Sequence, residues 1–363
     1  MQATEAVDEA RRVMQVCNAC RYCEGFCAVF PAMELRRRFT TGDLTYLANL
    51  CHDCRGCYHA CQYAPPHEFG INVPQTFAVL RLETYAEYAW PRPMAALFER
   101  SGTIVSLATA AGIALVLLLT AWLRTPTSLF TRQTGPGAFY RVIPEAAMTA
   151  VAAVTCLFAL LAFTVGAIRF WRDTGGGAAH RRSMVGAVSD VLTLRNLGGG
   201  GHGCNDLDGA FSETRRYFHH ALFYGFGLCL ASTIVAAAYD HLLGLPAPYP
   251  FFSVPVLLGT VGGLGMVAGT AGLVWIKVAG DPAVAARTMM GADYALLVQL
   301  FLAAATGLAL LALRDTRAMG LLLAVHLGAI LAVFVMLPYS KFVHGIYRSV
   351  ALLRNAHERR VDG

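Results

Sequence analysis

Apolar positions divide the chain into two parts with different patterns. Up to about residue 90 they are interleaved with polar and charged residues, and beyond Pro91-Arg92-Pro93 they run in unbroken stretches of membrane-spanning length. Six such stretches are expected, from about Thr103 to Leu123, Ala146 to Ile168, His219 to Asp240, Val254 to Ile276, Ala295 to Leu313 and Ala318 to Ser340. Each can cross a hydrocarbon core of about 30 Å at about 1.5 Å per residue. All should be helices, because lipid offers no partner to an unpaired backbone group. The amino-terminal part also reads as helical. Thr41 or Asp43 is an N-cap candidate before Leu44, Tyr46, Leu47 and Leu50, and a further helix is expected from Thr76 to Tyr88. The pattern therefore predicts an all-α chain with a small domain over residues 1–93, a six-span bundle over 94–345 and a carboxy-terminal tail over 346–363.

Composition narrows the function. Of 363 residues, 56% are hydrophobic and 14% charged, with a mean hydropathy of +0.50, which disfavours a water-soluble enzyme. With residues 1–100 on the inner side, 24 of the 29 Lys and Arg residues fall on inside segments and 5 on outside ones, so both termini are expected in the cytoplasm. This bias also accounts for most of the net charge of +6, and no nucleic-acid partner is expected. Met1 to Gln15 carries Glu5, Asp8 and Glu9 and no apolar core of a signal peptide, which places the first domain in a reducing compartment.

That compartment bears on the cysteines. Eight of the 11 precede residue 62, as Cys17, Cys20, Cys23 and Cys27 and as Cys51, Cys54, Cys57 and Cys61, both spaced C-x2-C-x2-C-x3-C. Three thiolates at this spacing can surround one cluster while the fourth points away, as in two-cluster ferredoxins. The expected assignment is crossed: Cys17, Cys20, Cys23 and Cys61 on one [4Fe–4S] centre, and Cys51, Cys54, Cys57 and Cys27 on the other. A structural zinc site would leave the third cysteine of each run redundant. The proline that usually follows the fourth cysteine is replaced by Ala28 and Gln62, so a helical ferredoxin module is favoured over a small bacterial ferredoxin. Cys156 and Cys229, among Val, Leu and Ala, read as packing residues, as does the Met289-Met290 pair.

Histidines in the spans carry a second signal. His326 and His344 are 18 residues apart, five turns of 3.6, which would place them on one face of one helix about 27 Å apart, with Pro338 between them. On span three, His219 and His220 open the helix and His241 closes it, about 33 Å further on. Because the two spans are antiparallel, His219 or His220 is level with His344, and His241 is roughly level with His326. Such pairs can bracket b-type haem by bis-imidazole ligation, one haem on the inner side and a possible second toward the outer side. His326, set among Leu323, Ala324, Val325 and Leu327, needs a partner wherever it lies.

The segment Asn196 to Asn205 contains four successive glycines and no Lys-Ser/Thr, so it is not a phosphate loop. It reads as a flexible inside loop or as a docking surface for a partner or for the first domain. No strand followed by G-x-G-x-x-G is visible, since Gly259 to Gly265 lies within a span, and the chain therefore needs an external donor of reducing equivalents. Arg36, Arg37 and Arg38 are candidates for steering an acidic partner.

The twin cysteine runs, Leu197-Gly198-Gly199-Gly200-Gly201 with Cys204-Asn205, Arg216-Tyr217-Phe218-His219-His220 and Pro338-Tyr339-Ser340-Lys341-Phe342-Val343-His344 together resemble the tricarballylate utilisation protein B family, also called citrate utilisation protein B. The likeness spans essentially the whole chain. Its last part also resembles the final haem-bearing helix of nitrate reductase gamma-type subunits, in support of His326 and His344. The resemblance implies an electron carrier of the bacterial cytoplasmic membrane. It would reoxidise a cytoplasmic FAD-dependent tricarballylate dehydrogenase through two [4Fe–4S] clusters and haem b and reduce membrane quinone, one component of an oxidoreductase rather than a complete enzyme. The different-class alternative is a membrane redox sensor without turnover, which the lack of a recognisable output domain disfavours.

Overall fold

A computed structural model of the chain describes residues 4–98, 100–177, 180–199 and 203–361. The amino-terminal part is five helices: α1 (Glu5–Cys20), α2 (Val29–Glu34), α3 (Thr41–Leu50), α4 (Gly56–His59) and α5 (Val73–Glu87). α1 presents Val7, Ala10, Val13 and Met14 to the interior at helical spacing, and the Thr4 hydroxyl accepts from Val7 N at 3.3 Å to cap its start. α3 is the core of this domain, buried from Leu44 to Leu50. Its cap lies one residue before the expected position. Thr40 is the N-cap and Asp43 is the third helical residue, whose carboxylate returns to the Thr40 N–H at 3.2 Å to complete a capping box. α5 starts three residues earlier than expected, because Asn72 caps Gln75 and Pro74 suits the first turn.

Six helices have the length and composition to cross a membrane: α6 (Ser101–Leu123), α8 (Glu145–Asp173), α10 (Thr214–Leu243), α11 (Val254–Ala279), α12 (Arg287–Leu313) and α13 (Met319–Met336). They cover the six predicted stretches, so the chain is a multi-pass membrane protein. Close packing replaces the hydrophobic driving force that lipid removes. α10 and α11 meet at glycines, and a Cβ at Gly225 would stand 2.8 Å from the Gly262 carbonyl oxygen. Between α6 and α13, a Cβ at Gly112 would stand 2.7 Å from the Gly328 oxygen. Two connections are helical as well, α7 (Ala138–Val142) between α6 and α8 and α9 (Arg181–Leu192) between α8 and α10, and α14 (Val343–Val361) ends the described chain.

Two expectations change here. The single long helix expected to carry both His326 and His344 is broken. α13 ends at Met336, Leu337–Tyr339 is a 3-10 turn containing Pro338, and α14 restarts at Val343, because proline removes a helical donor and its ring clashes with the preceding turn. The expected tail from residue 346 is the body of α14, packed on α3, α8 and α9. Its seal is ionic and aromatic. Arg36 binds Asp43 at 2.8 Å and also Glu358; Arg354 binds Asp43 at 3.2 Å and Glu358 at 2.9 Å; and Tyr46 donates to Glu358 at 3.0 Å. Arg36 is thus consumed inside the fold at 8% exposure, leaving Arg37 and Arg38 as the exposed members of its run.

Burial alone would raise the Asp43 carboxyl, but the Thr40 hydroxyl and the Arg36 guanidinium hold it below its ordinary range. A depressed carboxylate contributes stability that is present above its unfolded value and is lost as pH falls through the folded value. The clamp should therefore weaken on acidification. Glu358→Gln leaves two buried guanidinium groups facing one carboxylate and should cost about 3 kcal/mol, read as a lower thermal midpoint and faster proteolytic cleavage of α14. Arg359→Gln, which breaks a half-exposed pair with Asp190 at 2.9 Å, should cost less than about 1 kcal/mol.

Candidate metal centre

α1 stops where Arg21 takes a left-handed conformation (φ 55°) and donates its N–H to the Cys17 carbonyl at 2.8 Å. The reversal keeps Cys17 and Cys20 on the last turn and returns Cys23 to them. Cys61, from the turn after α4, joins this group. Cys17, Cys20, Cys23 and Cys61 line one cavity of about 250 Å³, with Cys57 also on its wall. Cys27, Cys51, Cys54 and Cys57 line a second, narrower one. The fourth cysteine of each run thus lies with the first three of the other.

The second run is bent into place. Asp53 (φ 58°) and Arg55 (φ 64°) are non-glycine residues in the left-handed region on either side of Cys54. Each costs on the order of 1–2 kcal/mol, and strain of this kind collects where function requires it. A continuous helix would string Cys51, Cys54 and Cys57 along about 9 Å of its axis, whereas the two reversals gather them around one cavity. All eight cysteines are free of disulfides. Burial, then repulsion between neighbouring sulfurs, pushes Cys17 and Cys23 up to about 12 and Cys54 up to about 11. These three thiols therefore hold their protons until a metal displaces them. Two sets of four soft donors, crossed in this way, fit two iron–sulfur clusters.

The glycine-rich segment lies on this second run. Its Gly200, Gly201 and His202 fall outside the described residues, while the remainder docks on the first domain. Asn205 N donates to the Cys54 carbonyl at 2.9 Å, and Cys204 and Ser212 exchange two backbone hydrogen bonds at 2.8 Å. Gly203 (φ 102°) is required there, since a Cβ would lie 2.4 Å from the Ser212 oxygen. Of the two readings offered by the sequence, the docking surface toward the first domain is the one this arrangement matches.

Below the second run stand the histidines. The His219 and His344 rings meet edge-on, with centroids 6.3 Å apart and planes at 83°. Two imidazoles bound on opposite sides of one metal ion, with metal–nitrogen bonds of about 2.0–2.1 Å, have centroids about 6.3 Å apart. The Nδ1 of His344 donates to the Lys341 carbonyl at 2.6 Å, which selects the tautomer with Nε2 free to ligate. His219 Nδ1 is buried with no hydrogen-bond partner among the described residues. Burial first, then Arg348 and His219, hold His344 far below the ordinary imidazole range, so it is the neutral, ligating form. The donor set fits a bis-imidazole haem.

The neighbouring His220 turns away, its Nε2 3.1 Å from the Thr193 carbonyl. The two residues proposed for an outer pair have separate partners: His326 Nδ1 is 3.1 Å from the Thr306 hydroxyl, and His241 Nδ1 is 3.3 Å from Glu145 and 3.8 Å from Asp240.

Two groups of residues escaped the sequence reading. Arg81, which is buried, and Arg215 and Arg348, which are half-buried, lie against the second cysteine run, the latter two one helical turn from the facing histidines. Their signal was weak, because single arginines at helix ends are ordinary. The other group is Asp293, buried near the start of α12 and ion-paired with both Lys277 and Lys341. A lone carboxylate in an apolar helix was the signal that could have found it.

A six-span helical membrane bundle capped by a small helical domain with two four-cysteine sites is the architecture of an iron–sulfur membrane protein. The comparisons agree. Citrate utilization protein B matches residues 98–363 and its Fer4-like domain matches residues 10–87. The chain belongs to this citrate utilization protein B family. It is 47% identical over 358 residues to Citrate utilization protein B of Escherichia coli, covering 98% of this chain and 94% of that protein. No solved structure matches the chain.

Proposed function

We propose that the protein is the membrane electron-transfer half of a two-protein oxidoreductase, taking electrons from a cytoplasmic FAD-dependent tricarballylate dehydrogenase and delivering them to quinone in the bacterial cytoplasmic membrane. The observation that supports this is that two groups of cysteines and a pair of histidines lie in one short stack: the Cys17 group, the Cys51 group behind it, and His219 with His344 at the head of the spans. When bound there, two [4Fe–4S] clusters and one haem b supply one-electron carriers, which is what joining a two-electron flavin to a quinone requires. The chain's own residues hold these carriers in register. The reversals at Arg21, Asp53 and Arg55 aim the sulfurs, Lys341 orients His344, and the buried α3 and α14 keep the first domain on the bundle. The excess of Lys and Arg on the segments adjoining the first domain supports a cytoplasmic position for it. Tricarballylate as the partner's substrate rests on the resemblance drawn from the sequence motifs, since the matched family model and relative are named for citrate.

The test uses vesicles containing the full chain with its cofactors, the reduced flavoprotein and a soluble quinone. Flavin reoxidation and quinone reduction should rise together when the protein is present and respond to its concentration. Equal rates with and without it overturn the electron-transfer role.

A further inference from the structure

The two cysteine sites differ in their electrostatic surroundings. The wall of the Cys17 cavity consists of cysteines, apolar and aromatic residues and Gln62, with no charged side chain, and it opens beside Tyr22, which is 68% exposed. The Cys51 site is ringed by cations, Arg81 buried and Arg215 and Arg348 half-buried. Arg81 Nη1 donates to the carbonyls of Ala48 at 3.0 Å and Cys51 at 3.2 Å; Arg348 Nη2 donates to the Cys51 carbonyl at 2.8 Å; and Arg215 donates to the Asp53 carbonyl. Arg215 also lies 3.9 Å from the carboxylates of Asp53 and Asp206. With Arg55, which lines the same cavity and donates from Nη1 to the Asp206 carbonyl at 3.4 Å, four guanidinium groups stand around two carboxylates. Two of the four have a further relation to the membrane site. Arg348 is one helical turn after His344 on α14, and Arg215 one turn before His219 on α10. Each arginine therefore ties one helix of the imidazole pair to the backbone of the Cys51–Asp53 segment.

A buried positive charge stabilises an anion more as the anion gains an electron, because the low-dielectric interior screens the attraction weakly. We propose, resting on the electron-transfer reading above, that Arg81, Arg215 and Arg348 make the Cys51 site the membrane-side station of the relay and set it at the higher potential, leaving the uncharged Cys17 site as the lower-potential station that meets the donor. Electrons entering at the exposed site then run downhill toward the histidines. The arginines act as positioning residues. They touch the main chain that carries Cys51 and Asp53, and they supply charge.

The experiment is a potentiometric titration of the purified full chain with its cofactors, followed by electron paramagnetic resonance. The two cluster signals are assigned by the one that Cys20→Ser perturbs. In Arg348→Gln the signal of the Cys51 site should shift so that its oxidised-to-reduced ratio at fixed potential rises about tenfold, which is about 59 mV for a one-electron couple. The Cys17 signal should not move. Arg348→Lys, which keeps the charge but loses the planar fork, should restore most of the shift, and this separates charge from local unfolding. Relaxation of the Cys51 signal, and not of the Cys17 signal, should be enhanced by the oxidised haem.

Equal shifts in both signals, a shift confined to the Cys17 site, no shift, or a lysine variant as displaced as the glutamine one would each overturn the proposal. A preparation holding both clusters and haem with the order reversed removes this inference and leaves the electron-transfer reading standing. A preparation without iron removes both.

Discussion

Cys61→Ser is expected to lower the iron content of the anaerobically purified chain from about eight to about four atoms, with one of two cluster signals lost or converted. Cys61 lies beyond α4 yet lines the cavity formed by Cys17, Cys20 and Cys23 at the end of α1, so serine removes one of four soft donors from a site whose other three remain. The altered signal should be the one that Cys20→Ser alters, even though Cys61 belongs to the run beginning at Cys51. Cys204→Ser is the control. Cys204 is completely buried and docked beside the second run, but its S–H is committed to the Leu197 carbonyl at 3.1 Å, so full iron content should be retained. Iron analysis decides the matter, and stoichiometric zinc with no iron would sink the cluster assignment.

The parts of the molecule that were legible in the sequence are those in which one physical constraint dominates. Six spans follow from length and apolarity because lipid leaves the backbone a single solution, and the helix bounds moved only at their ends, outward at Thr214 of α10 and inward at Met336 of α13. The twin cysteine runs are legible because so few arrangements use four soft donors at that spacing. The unread features depend on balances between distant residues. Nothing near Arg36 announces that its guanidinium will be enclosed by Asp43 and by Glu358, more than 300 residues away. α14 was missed as a packed helix because its buried face includes Arg354 and Asn355 as well as Ala351 and Leu352, which dilutes the apolar periodicity. His326 and His344 kept the spacing of one helix, but Pro338 ended it, and spacing alone could not show whether the helix would kink or stop.

The same limit left His219 and His220 undecided, and this is where the second large effect is expected. Adjacent helical residues point about 100° apart, so only one of the two can face α14. His219 does so, with its ring centroid 6.3 Å from that of His344, while His220 reaches across to the Thr193 carbonyl at the end of α9. His219→Ala and His344→Ala should therefore each abolish the haem absorption of purified protein, bringing the pyridine haemochrome value to background. His220→Ala should keep about one haem per chain, and so should His241→Ala and His326→Ala, because Glu145 and Thr306 already occupy those imidazoles. Lys341 makes the assignment sharper. Its side chain pairs with Asp293, but only its backbone carbonyl orients His344, so Lys341→Gln should perturb the ion pair yet leave haem content intact. Retention of haem in His344→Ala, or its loss in His220→Ala with retention in His219→Ala, would show that the facing pair is not the ligand pair.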